Sequence, residues 1–99
     1  MTGKIKFEFS GTPWQYTGPG GWYFISLPKK LAKEIRKSFR SEEEGWGRLK
    51  ATAKIGDSEW ATAIWFDTKI DTYILPLKAA IRKKERIDTE SNVKVVVGI

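Results

Sequence analysis

Cysteine and histidine are both absent from the 99 residues. Their absence excludes disulfides, thiolate nucleophiles, zinc sites of the Cys/His kind and every catalytic set built on imidazole. Long apolar runs are missing too, and no stretch approaches the ~20 residues of a membrane span. A secretory peptide needs a basic start and then an apolar run of about seven or more. Here Lys4, Lys6 and Glu8 alternate with Ile5, Phe7 and Phe9 instead. Glycine and proline, at nine and four, are too few for a collagen-like or low-complexity chain. The expectation is one globular domain over residues 1–99 in the cytoplasm.

What the chain has in excess is positive charge: eighteen Lys and Arg against twelve Asp and Glu, a net +6. The excess is not evenly spread. Residues 29–40 carry six basic side chains against Glu34, and residues 78–86 carry five against Glu85. Those two segments hold +9, which leaves the rest of the chain at −3.

Period-two alternation marks the strands. Ile5, Phe7 and Phe9 form the first, and Gly18-Pro19-Gly20-Gly21 is the strongest breaker after it. The run Trp22-Tyr23-Phe24-Ile25-Ser26-Leu27 predicts a strand covered on both faces and stopped by Pro28. Leu31, Ile35 and Phe39, four apart, predict a helix over residues 29–40. Leu49, Ala51, Ala53 and Ile55 alternate with Arg48, Lys50, Thr52 and Lys54, giving a strand with one wet face. Gly56-Asp57-Ser58 turns it into residues 59–66, where Trp60, Thr62, Ile64 and Phe66 oppose Ala61, Ala63 and Trp65. A short strand over residues 72–75 ends at Pro76, and residues 77–87 read as a second helix with Leu77, Ala79, Ala80 and Ile81 inward. Val93, Val95, Val97 and Ile99 close the chain as a strand.

The order is thus β-β-α-β-β-β-α-β, mainly β with two short helices. It contains an echo: Phe24-Ile25-Ser26-Leu27-Pro28 leads to Ile35-Arg36, and Tyr73-Ile74-Leu75-Pro76 leads to Ile81-Arg82. Two halves sharing one core predict a small β-barrel or curled sheet with a helix over each open end.

With these elements aligned, the chain resembles the domain-of-unknown-function family 1905. The resemblance is carried by Gly20-Gly21-Trp22-Tyr23-Phe24 with Leu27-Pro28, and by Gly47-Arg48-Leu49-Lys50-Ala51 leading to Gly56. It continues through Glu59-Trp60-Ala61-Thr62 and Tyr73-Ile74-Leu75-Pro76-Leu77-Lys78-Ala79-Ala80-Ile81-Arg82-Lys83. Ala63 stands where the family has serine after Trp-x-Thr, and Glu90-Ser91 replaces its Gly-Asp turn. The resemblance implies a double-split β-barrel capped by helices, the fold class of the AbrB-like transcription factors, and no established activity.

Candidate functional residues fall into three groups. Lys78 and Arg82, one helical turn apart, can jointly hold a carboxylate or phosphate with Thr62 across the barrel mouth. Structural capping of barrel-end carbonyls explains the same residues. Lys29, Lys33, Arg36 and Lys83 on the helices, with Arg48, Lys50 and Lys54 on one strand face, are the candidate nucleic-acid contacts. Solvation of outer helix faces explains the helical ones without a ligand. Among thirteen aromatics, a count in keeping with 13% of the chain, Trp22, Phe24, Trp60 and Phe66 read as core. Trp14 and Trp46 lie in loops, where an indole either meets a ligand or folds back as a lid. Asp67 and Asp71 read as solvated turn acids without the further oxygens of a calcium loop.

The expected function is therefore a non-catalytic binding module for a protein or small anion, monomeric or homodimeric, with no cofactor or metal. The alternative is AbrB-like DNA binding.

Overall fold

In the computed structural model, which describes residues 5–99, the alternating segments become seven strands of one antiparallel sheet. The strands are β1 (Lys6–Gly11), β2 (Trp14–Gln15), β3 (Tyr23–Ser26), β4 (Arg48–Ile55), β5 (Ser58–Asp67), β6 (Thr72–Leu77) and β7 (Val93–Gly98). Their spatial order is β1-β7-β4-β5-β6-β3-β2. The sheet curls into a half-barrel. Its rolling brings the end of β1 against β3, so that a Cβ on Gly11 would sit only 3.0 Å from Ile25 Cγ2. Residues 1–4, including Lys4 of the charged start, lie outside the described residues.

The concave face holds the core: Ile25, Leu49, Ile64, Leu75, Val95 and Val97 are all buried. Helix α1 (Lys29–Phe39) seals it with Ala32 and Ile35. Pro28 directly precedes that helix, and its carbonyl accepts the Ala32 N–H at 2.9 Å. Arg36 and Lys37 occupy the last turn, where positive charge suits the helix dipole. Among the described residues, no helix is long and apolar enough to cross a membrane.

Three expectations are corrected. The first concerns an added strand: the two-residue β2 pairs with β3, placing Trp14 opposite Phe24. The second concerns Pro76, which does not end β6 but lies inside it, opposite Phe24. The ladder between β5 and β6 runs only from Asp67↔Thr72 to Trp65↔Ile74, so at Pro76 the strand is paired on one side alone. A residue without an N–H is tolerated at such an edge. Leu77 is consequently buried as a strand residue, and helix α2 shrinks to Ala79–Lys84, with Ala79 and Ala80 exposed. The third concerns β3, which is covered on one face only. Ile25 is buried, whereas Trp22 just before the strand is 58% exposed.

The echo persists in space. Leu27 N–H donates to the Tyr73 carbonyl at 2.9 Å, and the buried Thr72 hydroxyl donates to the Leu27 carbonyl at 2.7 Å, locking the two Leu-Pro segments together. Each helix also lays an arginine over a strand aromatic. Arg36 stacks on Phe66 and Arg82 on Tyr23, both 3.8 Å from the ring centroid.

Tyr73 is fully buried, and its hydroxyl donates to the Glu43 carboxylate. Arg36 Nε lies 3.5 Å from the same carboxylate, ion-paired without a hydrogen bond. Burial, then the bond to Glu43 and the charge of Glu43, pushes the Tyr73 phenol well above its ordinary range. In the unfolded chain it ionises near pH ~10. The fold holds the proton more tightly, so this contribution to stability is whole below that pH and declines as pH rises beyond it. Tyr73→Phe is expected to cost about 1–3 kcal/mol at neutral pH, by stripping a buried carboxylate of its donor. It should also flatten the alkaline fall in the urea midpoint. An unchanged alkaline slope in the variant would show that other groups carry it.

Candidate functional site

The same parity that fills the core places a row of rings on the opposite face. With Ile25, Ile64, Tyr73 and Leu75 inward, Phe24, Trp65, Ile74 and Pro76 must point outward. Register then aligns them: Trp14 lies opposite Phe24, Phe24 opposite Pro76, Ile74 opposite Trp65, and Trp65 opposite Arg48. Tyr16, Trp22 and Trp46 rise from flanking loops to complete a groove of about 600 Å³. Among the described residues, the charged or hydroxyl side chains that line it besides Tyr16 are Asp67, Thr68 and Lys69. Its size falls within the ~300–1,000 Å³ of ligand sites.

The rings are held, not loose. Trp14 Nε1 donates to Ser26 Oγ at 2.8 Å. Its indole lies 5.1 Å from the Phe24 ring, and Trp22 lies 6.5 Å from Phe24 at an interplanar angle of 18°. The loop that brings Tyr16 and Trp22 together closes through Tyr16 N–H to the Trp22 carbonyl at 2.7 Å. Gly20 and Gly21 turn it with φ of 92° and 57°, values that favour glycine.

Trp46 is the least supported ring. It is 94% exposed and held at φ 67°, ψ 22° inside the short 3-10 turn Gly45–Gly47. A left-handed backbone costs a non-glycine residue roughly 1–2 kcal/mol. Gly47, at φ 71°, explains the neighbouring geometry, because a Cβ there would lie 3.1 Å from Phe66 Cβ. Burial cannot explain Trp46, since the side chain has almost none. The strained, exposed indole stands at the lip of the aromatic groove.

The basic residues are separated into three sets. Lys33, Arg36, Lys37 and Arg40 of α1 and the turn after it line a second groove of about 370 Å³ with Phe66 and Asp71. Lys29 is exposed at the start of the same helix, and Lys83 is exposed on α2. The helices sit at opposite ends of β5: Arg36 stacks on Phe66, whereas Glu85 beyond α2 accepts from Ser58 Oγ at 2.6 Å. Those anchors are eight residues apart on the strand, on the order of 25 Å. Arg48, Lys50 and Lys54 lie on the outer face of β4, but Glu44 ion-pairs with both Arg48 and Lys50. Arg48 also approaches the Trp65 ring at 5.7 Å.

Lys78, Arg82 and Thr62 each have a different engagement. Arg82 stacks on Tyr23 and its Nε donates to the Leu77 carbonyl at 3.4 Å, which is carbonyl capping at the strand end. Thr62 Oγ1 reaches only the neighbouring Ala63 carbonyl, at 3.5 Å, and Lys78 is the exposed residue before α2. None of these contacts joins the three. Asp67 accepts from Lys69 N–H at 2.9 Å, and the described residues contain no cluster of three metal-ligating side chains.

The sequence leaves Trp14 and Trp46 open between ligand contact and a lid over the core; both line the groove, as do Trp22 and Phe24, which the sequence reads as core. Trp60 and Phe66 do pack against the core. Tyr16, Trp65 and Pro76 go unnoticed, although parity counted from Ile25 and Ile64 assigns Phe24 and Trp65 to the outer face.

A half-barrel of one antiparallel sheet, with two short helices and an outward aromatic groove, makes a small, mainly β scaffold. The family model described as Domain of unknown function (DUF1905) matches residues 9–97, and the chain belongs to that family. The chain matches no curated protein.

Replacing Trp46 by glycine releases the backbone strain while removing almost no buried surface. Trp46→Gly is therefore expected to raise stability by about 1 kcal/mol in urea unfolding, an inverse of the usual cost of glycine. A loss of stability would mean that the indole contributes packing of its own.

Proposed function

We propose that this protein is a non-catalytic binding module and that the outer aromatic groove is its recognition surface. The observation that carries the reading is Trp46, a fully presented indole kept in a costly backbone conformation beside six other aromatic side chains that line the groove. The ligand is one that offers planar or ring-shaped apolar faces, because stacking is nearly all the groove has to give. Its lining offers little for proton transfer or nucleophilic attack. The half-barrel, with its two Leu-Pro segments paired in one sheet, supports assignment to the AbrB-like double-split barrel class, and the cytoplasm is the compartment proposed.

AbrB-like binding of duplex DNA is the second reading, favoured by the row Arg48, Lys50 and Lys54 on one strand face. Against it, Glu44 pairs with two of those three cations, and the basic helices occupy opposite ends of β5. A small-anion site at Lys78, Arg82 and Thr62 is weaker still, since Arg82 is already spent on Tyr23 and Leu77.

Five tryptophans give five indole N–H signals in a ¹H–¹⁵N correlation spectrum, which makes the groove directly readable. Titration with millimolar adenosine or hexaproline should move the Trp14, Trp22, Trp46 and Trp65 signals. Trp60, whose buried Nε1 lies on the core side, should stay fixed. If neither probe moves the four groove signals, the groove is not a recognition surface.

A further inference from the structure

We infer that the groove takes single-stranded nucleic acid, with bases stacked on the outer-face rings and phosphates continuing onto the cations of α1. The inference rests on the binding-module reading above and names its ligand. The observation behind it is Phe66, which lines both the aromatic groove and the basic groove beside α1. The two grooves therefore share Phe66 at the end of β5, one on the outer face of the sheet and the other on the α1 side. One side presents indoles; the other presents Lys33, Arg36, Lys37 and Arg40.

Each simpler ligand would satisfy only half of this surface. A proline-rich segment would fill the ring side and leave Lys33, Lys37 and Arg40 without an anion. A lone phosphate would meet the cations and leave Trp22 and Trp46 in water. A chain that alternates flat rings with negative charge matches both halves, and single-strand-binding proteins combine the same two elements. A duplex does not match, because its bases are stacked inward and unavailable to side-chain rings.

Charge bookkeeping supports a modest phosphate count. The α1 groove has four cations, one acid in its wall, Asp71, and Glu43 ion-paired with Arg36. In the aromatic groove Asp67 and Lys69 offset each other. Lys33 to Arg40 spans about 10 Å along the helix, room for two or three phosphates. Arg36, fixed between Phe66 and Glu43, is pre-positioned, whereas Lys33, Lys37 and Arg40 are exposed and free to turn toward a backbone.

The test is fluorescence anisotropy with labelled oligo(dT) of ~12 nucleotides, within the ~4–16-nucleotide footprint of single-strand-binding folds. The duplex of the same length and hexaproline serve as competitors. Binding of the single strand is expected to fall with salt, with a log–log slope near −1.4 to −2, as two or three neutralised phosphates require. Trp46→Ala should weaken it by about tenfold, one stacked base, and leave that slope intact. Lys33→Glu with Lys37→Glu should weaken it and flatten the slope, while circular dichroism shows the fold retained. Absence of single-strand binding at low salt overturns the inference, as does equal or tighter binding of the duplex, or a slope unmoved by the double charge reversal. If the single strand fails while hexaproline or adenosine still moves the groove indoles, the binding-module reading survives alone; if nothing moves them, both fall.

Discussion

The pairing of β3 against β6 is the constraint on which the rest of this structure depends. It sets Phe24 opposite Pro76 and Ile25 opposite Leu75, so one register decides both what is buried and what is displayed. The clasp of Leu27 with Thr72 and Tyr73 fixes that register at the point where the chain leaves for α1. A slip of one residue would exchange the two faces, sending Phe24 inward and Ile25 to solvent. Because β6 loses β5 beyond Ile74, the sheet also opens on that side, beside the outward-facing rings of the groove.

The fold was largely legible from alternation and breakers. The strand Leu49-Ala51-Ala53-Ile55, its hairpin partner, the final valine strand and the helix after Pro28 all follow from local pattern. Its family could likewise be read from the quoted motifs. What local pattern could not supply was pairing. Pro76 looks like a stop until the partner strands are known, and only the one-sided ladder makes it tolerable. The two-residue β2 has no period to detect, since two residues cannot alternate visibly.

The site was half legible for a related reason. Trp14 and Trp46 stand out because glycine, proline and threonine surround them. Trp22 and Phe24 sit in a nearly unbroken apolar run, and such a run reads as a strand covered on both sides. Whether the second cover exists depends on what packs there. At β3 no helix does, so the apolar face is left open as a groove. The basic residues show the converse: their abundance is evident from composition, but their division between opposite ends of β5 is a property of topology alone.

Glu43, Tyr73, Arg36 and Phe66 join the α1 side of the fold to the rim shared by both grooves. A buried phenol bonded to a carboxylate, and a guanidinium ion-paired with that carboxylate and stacked on Phe66, hold that rim in place. By contrast, the wall formed by residues 16–22 touches the sheet chiefly through β2, two residues long. Insertions or exchanges in that wall would reshape the proposed recognition surface without disturbing the hydrophobic interior. The scaffold thereby keeps one wall of the groove apart from the contacts on which its durability depends.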